Sequence, residues 1–319
     1  MSQIYGPVCS RRLGFSLGVD MVPYKTCTLN CVYCQLGPTT RLTIKRQEWV
    51  RIDKITKELK NKLTGKERCD LKRCNLKVRP QIDCITFSGS GEPTLNSKIG
   101  ELIKEVKSIT QIPIALLTNG TLLSMQSVRR SVRFADLVIP SLDAATQSAF
   151  ECVNRPYSGL KIEKIINGIK DFRQEFQGKM WLEVMLVKGL NDSISEITKL
   201  KKEIIRINPD KVQLNTVVRP PTENFAKPLG ISKLQEIKAI LGDRCEIIPE
   251  FRPHKQGGMR ELKNIEAKII DLLGRRPVTL GDIATSLGIH RNEVIKYLRD
   301  LEPRIKSRNY LGTKYYSLR

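Results

Sequence analysis

The sequence YKTCTLNCVYCQLG, residues 24–37, places three cysteines within eight positions. Cys27, Cys31 and Cys34 are spaced C-x3-C-x2-C, in a segment without helical periodicity that follows the apolar run Leu17–Val22. Three soft thiolates suit an iron–sulfur cluster of the cubane type, in which three protein ligands leave one iron open for catalysis. A structural zinc site normally needs a fourth Cys or His in a second C-x2-C pair, and the sequence contains no such pair.

Apolar, β-branched runs recur along the chain with helical patterns between them. After the first run, they are Ile82–Phe87, Pro113–Leu117, Leu137–Ser141, Leu182–Val187 and Val212–Val217. This alternation predicts βα units and a parallel sheet. Six units favour an α/β fold of the partial (βα)6 TIM-like barrel type over a complete eight-fold barrel. In a barrel, as in a doubly wound sheet, chemistry gathers at the carboxyl ends of the strands.

Composition narrows the class of protein further. The chain has 319 residues, 40% of them hydrophobic, and a formal net charge of +22, which favours an anionic partner such as nucleic acid. Two histidines in the whole sequence argue against a paired-His metal site and a Ser-His-Asp triad. No apolar leader or membrane-length apolar run occurs, so we expect a cytoplasmic protein without a membrane partner, whose nine cysteines are not a disulfide framework.

The strand–helix alternation stops after Pro253, which predicts residues 1–253 as the barrel, 254–263 as a linker and 264–319 as a second domain. In this second domain Thr279 and Asp282 form a capping-box pattern, Gly288 ends that helix, and a third helix follows from about Arg291. With its hairpin-like tail, this order resembles a winged helix-turn-helix. The basic side chains of the third helix and the tail include Arg291, Lys296, Arg299, Lys306, Arg308 and Lys314. They suit RNA or DNA, or a solvated surface that docks on the barrel.

The cysteine spacing, with Tyr33 before the third cysteine, resembles the signature of the radical S-adenosylmethionine (SAM) superfamily over about residues 5–250. The stretches GPVCSRRLGFSLGVDMVPYKTC and SGSGEPTL are similar to a mostly archaeal group of these proteins related in sequence to wyosine-forming transfer RNA enzymes. The resemblance implies a [4Fe-4S] cluster on Cys27, Cys31 and Cys34, with SAM on the open iron. An electron donor such as ferredoxin or flavodoxin would then drive cleavage of SAM to a 5'-deoxyadenosyl radical.

The same resemblance implies a SAM pocket. Gly91 and Glu92 in SGSGEP match the last two positions of the family's GGE motif, which binds the methionine amino group, and Ser90 stands where the family has glycine. Short polar side chains at strand ends suit a carboxylate or ribose hydroxyls, although each is also common in turns. The further candidate cofactor-binding residues are Tyr33, Asn119, Ser141 and Asp143, with Val187 and Asn215 beside the adenine. For Val187, core packing is the alternative.

The sequence therefore predicts a radical SAM enzyme that modifies a macromolecule, with transfer RNA or another nucleic acid as the first candidate. Modification of a peptide or protein is the alternative, and a redox-sensing transcription regulator with a cluster is a third possibility. A sensor would not need the residues of a SAM pocket. No side chain beyond the cofactor ligands is predicted to be catalytic. Arg11 and Arg12 suit either an anionic substrate or acids inside the barrel.

Overall fold

The computed structural model describes residues 2–10, 12–64, 82–248 and 265–319. The predicted linker, Arg11, Cys69 and Cys74 lie outside these ranges. In the first unit the strands are β1 Ile4–Ser10, β2 Gly14–Val19, β3 Thr26–Cys27, β4 Arg41–Leu42, β5 Cys84–Phe87, β6 Ile114–Thr118, β7 Leu137–Pro140, β8 Lys179–Leu186, β9 Lys211–Thr216 and β10 Cys245–Ile247. The helices are α1 Ile52–Thr64, α2 Ile99–Ile109, α3 Gln126–Val132, α4 Gln147–Asn154, α5 Ile162–Glu175, α6 Ile194–Ile207 and α7 Ile231–Leu241.

The central sheet has the order β1-β2-β5-β6-β7-β8-β9-β10, and every pair from β2 to β10 is parallel. The six predicted strands are confirmed as β2 and β5 to β9. Two strands were not predicted: β1, which pairs antiparallel with β2, and the short β10 at the opposite edge. This α/β fold with a mostly parallel sheet is consistent with a partial TIM barrel, and it places the carboxyl ends of the parallel strands together.

The side chains of β8 show how the sheet separates core from site. Met180, Leu182, Val184 and Leu186 are fully buried, and they belong to the large apolar core shared with the helices. The alternate positions Trp181, Glu183 and Met185 are only partly buried. Because successive side chains of a strand point to opposite faces, these three lie on the other face of the sheet. The carboxylate of Glu183 therefore lies on the face of the sheet opposite the apolar core.

The second unit contains α8 Ile265–Arg275, β11 Val278–Thr279, α9 Leu280–Leu287, α10 Arg291–Asp300, β12 Ile305–Tyr310 and β13 Thr313–Leu318. Its three strands form a sheet of order β11-β13-β12. The predicted capping box is confirmed, since the Thr279 hydroxyl accepts from Asp282 N at 3.0 Å while the Asp282 carboxylate accepts from Thr279 N. Gly288 ends α9 with a φ of 65°, as expected for a left-handed cap.

The second unit has its own apolar cluster, to which Val294 and Leu298 of α10 contribute. Val8 of β1 packs against this cluster from the first unit. On the hairpin, Tyr310 Oη donates to the Val217 carbonyl at 2.8 Å and Tyr315 Oη to the Val218 carbonyl at 3.0 Å. The two units therefore contact each other next to the carboxyl end of β9. No helix in the described ranges is both long enough and apolar enough to cross a membrane.

Candidate functional site

The three clustered cysteines lie on the loop that follows β2, and all are partly buried free thiols. The loop is irregular apart from the two-residue strand that contains Cys27, as the sequence predicts. Each sulfur has a nitrogen donor beside it. These donors are Lys25 Nζ at 3.1 Å from Cys34 Sγ, Asn119 Nδ2 at 3.5 Å from Cys27 Sγ and Asn154 Nδ2 at 3.4 Å from Cys31 Sγ. Such donors stabilise negative charge on sulfur.

Burial raises the pKa of the Cys27 thiol to about 12, and it raises the pKa of Cys31 as well. A buried thiolate is costly without a nearby cation, and bound iron supplies one. Among the described residues, no three His, Cys, Asp or Glu converge as ligands of a single metal ion. The thiolates of a cubane cluster bind different irons and need not converge, so this donor set fits a [4Fe-4S] cluster.

The glycine-rich turn after β5 lies directly against the cysteine loop. A Cβ added at Gly91 would stand 1.9 Å from the carbonyl oxygen of Thr26, so only glycine permits this approach. Two backbone hydrogen bonds join the segments: Lys25 N donates to Ser90 O at 2.6 Å, and Glu92 N donates to Thr26 O at 3.1 Å. The SGSGEP turn and the first cysteine of the loop are therefore fixed relative to each other.

Glu92 is 2% exposed, and burial raises the pKa of its carboxyl group. Its Oε1 accepts hydrogen bonds from Thr94 N at 3.0 Å, Thr94 Oγ1 at 2.5 Å and Thr118 Oγ1 at 2.6 Å. Its Oε2 accepts from Asn119 N at 2.7 Å. A carboxylate offers about four acceptor positions. Oε2 thus has capacity for a further donor from the cavity that Glu92 lines.

The carboxylate of Asp143 is hydrogen-bonded within the protein. It is 5% exposed, and burial raises its pKa to about 6. Its Oδ2 accepts from Tyr33 Oη at 2.5 Å and from Asn154 Nδ2 at 2.7 Å, and its Oδ1 accepts from Met185 N at 2.9 Å. These three donors satisfy the carboxylate within the protein. Asp143 therefore orients Tyr33 and Asn154 beside the cysteines.

A cavity of about 410 Å³ opens at the carboxyl ends of the strands. Eight of the residues predicted for the site contribute to its wall: Cys27, Tyr33, Cys34, Gly91, Glu92, Asn119, Ser141 and Asn215. Cys31, Ser90, Asp143 and Val187 are not among its lining residues. Val187 is fully buried in an apolar cluster with Val32 and Val153, an environment that agrees with core packing, the alternative role considered for it. Ser90 is 6% exposed and turned toward Asp20.

Glu183 also lines the cavity, and sequence reasoning did not single it out. Its carboxylate lies 3.0 Å from Arg12 Nη1 and accepts from Asn215 Nδ2 at 3.0 Å. Arg12 thus takes the second of its two predicted roles, as the partner of an acid inside the sheet. The signal for Glu183 was a charged residue in the middle of an otherwise apolar parallel strand, KMWLEVML. Three further arginines line the same cavity, Arg219, Arg275 and Arg276.

The fold and the site together indicate an enzyme whose cofactor site lies at the carboxyl ends of a parallel sheet. The family model described as the radical SAM superfamily matches residues 21–200. The chain belongs to the radical SAM superfamily, a class of enzymes whose cofactors are a [4Fe-4S] cluster and SAM. The match covers the cysteine loop, the SGSGEP turn and the strands β3 to β8.

Two relatives illustrate the similarity in sequence. A UPF0026 protein of Methanocaldococcus jannaschii is 34% identical over 243 residues, which are 76% of this chain and 72% of that protein. A protein named GTPase Obg from Brachyspira hyodysenteriae is 38% identical over 302 residues, which are 94% of this chain and 42% of that protein. The chain thus spans less than half the length of this second relative. Its sequence lacks the Gly-x4-Gly-Lys-Ser/Thr phosphate-binding motif of P-loop proteins.

A solved structure shows the same fold. The structure of TYW1 with a lysine-pyruvate adduct bound superimposes with a TM-score of 0.51, at 18% identity, over 74% of this chain and 75% of that one. At this identity the likeness concerns the fold alone. The sequence link to wyosine-forming enzymes therefore stays a prediction.

Proposed function

We propose that the chain binds a [4Fe-4S] cluster through Cys27, Cys31 and Cys34, cleaves SAM reductively, and modifies a nucleic acid, in the first place RNA. One observation carries the proposal. The wall of a single cavity combines two of the proposed cluster ligands, Cys27 and Cys34, with the acid of the GGE-like motif, Glu92. When bound, the cofactors supply a 5'-deoxyadenosyl radical that abstracts hydrogen from a substrate, and the protein must place that substrate and exclude water.

The residues of the chain have defined tasks in this proposal. Glu92 would accept the SAM ammonium at Oε2, where a charge-assisted hydrogen bond adds to the one from Asn119 N. Gly91 would keep the turn close against the cysteine loop, because any side chain there collides with the Thr26 carbonyl. Ser141 and Asn215, which line the same cavity, would bind the ribose and adenine. Tyr33 would hold the third cysteine through its hydrogen bond to Asp143.

The second unit supports a nucleic-acid substrate. Its element order, helix, strand, two helices and a hairpin, resembles that of a winged helix-turn-helix, and its own apolar cluster supports the prediction of a second domain in residues 264–319. In α10 the side chains of Arg291, Asn292 and Lys296 are exposed, while Val294 and Leu298 are buried. The outer face of α10 thus has a small excess of basic side chains, Arg291, Lys296 and Arg299 against the acids Glu293 and Asp300, in a chain with a net charge of +22. Such a face attracts phosphates.

One basic side chain of the hairpin is turned toward the first unit. Arg308 Nη2 donates to Asn224 Oδ1 at 2.7 Å, so this arginine contacts the first unit. Substrate contact is therefore assigned to α10.

The cleavage of SAM also needs an electron donor. An acidic carrier of the ferredoxin or flavodoxin type would suit the basic surface of the protein.

The substrate class is tested by mass spectrometry of intact and digested RNA from the source organism with and without the gene. The proposal predicts a modified nucleoside that disappears on deletion, returns with the wild-type gene, and does not return with the Cys27→Ala, Cys31→Ala, Cys34→Ala variant. RNA that is unchanged in every fraction contradicts a nucleic-acid substrate. A mass change confined to a protein in the same comparison would assign the radical chemistry to a peptide.

A further inference from the structure

Arg275 is the last residue of α8, and its side chain reaches from the second unit to the carboxyl end of β2. Its Nη1 lies 2.9 Å from Oδ2 of Asp20, its Nη2 donates to the Ser2 carbonyl at 2.5 Å, and its guanidinium carbon lies 4.8 Å from the centre of the Tyr5 ring. The two charged side chains are only 10% and 4% exposed. Breaking such a pair leaves a buried charge without its partner, which is costly.

The same carboxylate of Asp20 organises the glycine-rich turn. Ser90 N lies 3.2 Å from both carboxylate oxygens, and Ser90 Oγ donates to Oδ2. Gly89 has a φ of 147°, and a Cβ there would stand 2.7 Å from Asp20 Cγ. The backbone of residues 88–90 is thus folded around the carboxylate. Gly91 and Glu92 follow immediately in the chain. The position of the Asp20 carboxylate therefore determines the position of the backbone that leads into them.

Ser90 is also the position at which the turn departs from the GGE motif that it resembles. A glycine there would keep the backbone N–H bonds to Asp20 and would lack the hydroxyl bond. The serine therefore adds a contact to a carboxylate whose ion-pair partner, Arg275, belongs to the second unit. The Asp20 carboxylate thus contacts both Ser90, where the sequence departs from the motif, and Arg275 of the second unit.

A second contact from the same unit reaches the cysteine loop. Tyr310 of β12 packs in the apolar cluster that contains Val32 and Val217, and Val32 stands between Cys31 and Tyr33. The second unit thus touches both segments that form the site, the glycine-rich turn through Asp20 and the cysteine loop through Val32. A unit that only recruited a substrate would need neither contact.

We infer that Arg275 is a positioning residue for SAM: it fixes Asp20, which fixes Ser90 and so the backbone leading into Gly91 and Glu92. This inference rests on the proposed function, since it assigns SAM binding to that turn. The second unit is then a structural part of the cofactor site.

The test measures SAM binding by equilibrium dialysis to full-length protein with a reconstituted cluster, together with amide hydrogen exchange in peptides covering residues 88–92. Arg275→Met should weaken SAM binding about tenfold, the usual scale for loss of a hydrogen bond to a charged group, with unchanged iron content and faster exchange in these peptides. Arg275→Lys, which keeps the charge without the planar fork, should lose about threefold. The matched control is Arg304→Met, because Arg304 pairs with Glu266 at 3.8 Å with both side chains more than half exposed. It should stay within about twofold of wild type.

A double-mutant cycle links the effect to the turn. In a Ser90→Gly background, Arg275→Met should weaken SAM binding less than it does in the wild type, because one bond in the chain of contacts is already absent. The inference is overturned if Arg275→Met binds SAM within twofold of wild type, or if its full effect persists beside Ser90→Gly. Should Arg275→Met not fold, Arg275→Lys is decisive, and wild-type affinity in that variant overturns the inference. Wild-type protein that holds the cluster and binds no SAM contradicts the proposed function itself.

Discussion

Arg12 and Glu183 form an ion pair of 3.0 Å inside the curved sheet, although one lies between β1 and β2 and the other in the middle of β8. Their side chains are 14% and 13% exposed. The pair joins the segment between β1 and β2 to β8, and Asn215 extends it to β9. Polar contacts inside the cavity therefore connect the strands that form it, in addition to the apolar core on the other face of the sheet.

Loss of this pair should cost stability. Arg12→Gln removes a cation 3.0 Å from the partly buried Glu183 carboxylate, so the free energy of unfolding should fall by about 2 kcal/mol in urea titrations. Arg51→Gln is the control, because Arg51 and Asp53 are paired at 2.6 Å with side chains 78% and 62% exposed. Its effect should be below about 0.5 kcal/mol. If the two substitutions lowered the free energy of unfolding equally, the interior pair would contribute no more to stability than the exposed one.

Glu92→Gln should separate SAM binding from cluster binding. The substitution keeps the shape of the side chain and removes the charge that would attract an ammonium group, so SAM affinity should fall about tenfold or more while iron content stays at the wild-type level. Glu101→Gln, at an exposed i,i+3 pair with Lys98, is the matched control and should change neither quantity. If Glu92→Gln loses iron together with SAM affinity, its role is to shape the cysteine loop.

The basic face of α10 predicts a defined salt dependence of RNA binding. Removing the charge of a phosphate-contacting side chain reduces the slope of log K against log salt by somewhat under one unit. Arg291→Gln and Lys296→Gln should each have this effect in fluorescence-anisotropy titrations of full-length protein. Arg308→Gln removes the same charge from a side chain turned toward Asn224, and its slope should change less. Unchanged slopes for Arg291→Gln and Lys296→Gln would place the contacts outside α10, and an equal reduction for all three variants would extend the contacts to the hairpin.

Tyr310 should contribute to stability through its hydroxyl group. The residue is 8% exposed, and its Oη donates to the Val217 carbonyl at 2.8 Å. Tyr310→Phe leaves that buried carbonyl without this donor, at a cost of about 1 to 2 kcal/mol in the free energy of unfolding. Tyr316→Phe on the same hairpin is the control, with an expected change below about 0.5 kcal/mol. A Tyr310→Phe protein as stable as the control would mean that water replaces the bond.

The main strands were predictable because strands buried on both faces appear in sequence as short continuous apolar runs, as in Cys84–Phe87. The helix caps of the second unit were predictable for a similar reason, since the partners Thr279 and Asp282 are three residues apart. Strand β10 was missed because three residues, one of them charged, carry too little pattern. Local signals were sufficient where the interacting groups are near in sequence.

The site was only partly predictable. The cysteine spacing and the SGSGEP turn identify the segments, and the structure places both at one cavity. The partners of Asp143 could not be predicted, because Tyr33 and Met185 are distant in sequence and satisfy a carboxylate that seemed suited to a ligand. The ion pair of Asp20 with Arg275 spans 255 positions. Such contacts depend on how the two units dock, which no local pattern encodes.

The most direct test of the account is formation of 5'-deoxyadenosine from SAM by the full-length protein, reconstituted anaerobically with iron and sulfide and reduced with dithionite. The account predicts about four irons and four sulfides per chain, as in a cubane cluster, and time-dependent release of 5'-deoxyadenosine. The Cys27→Ala, Cys31→Ala, Cys34→Ala variant should show neither. Wild-type protein with a complete cluster that forms no 5'-deoxyadenosine, or wild-type protein that retains zinc in place of iron, would contradict it.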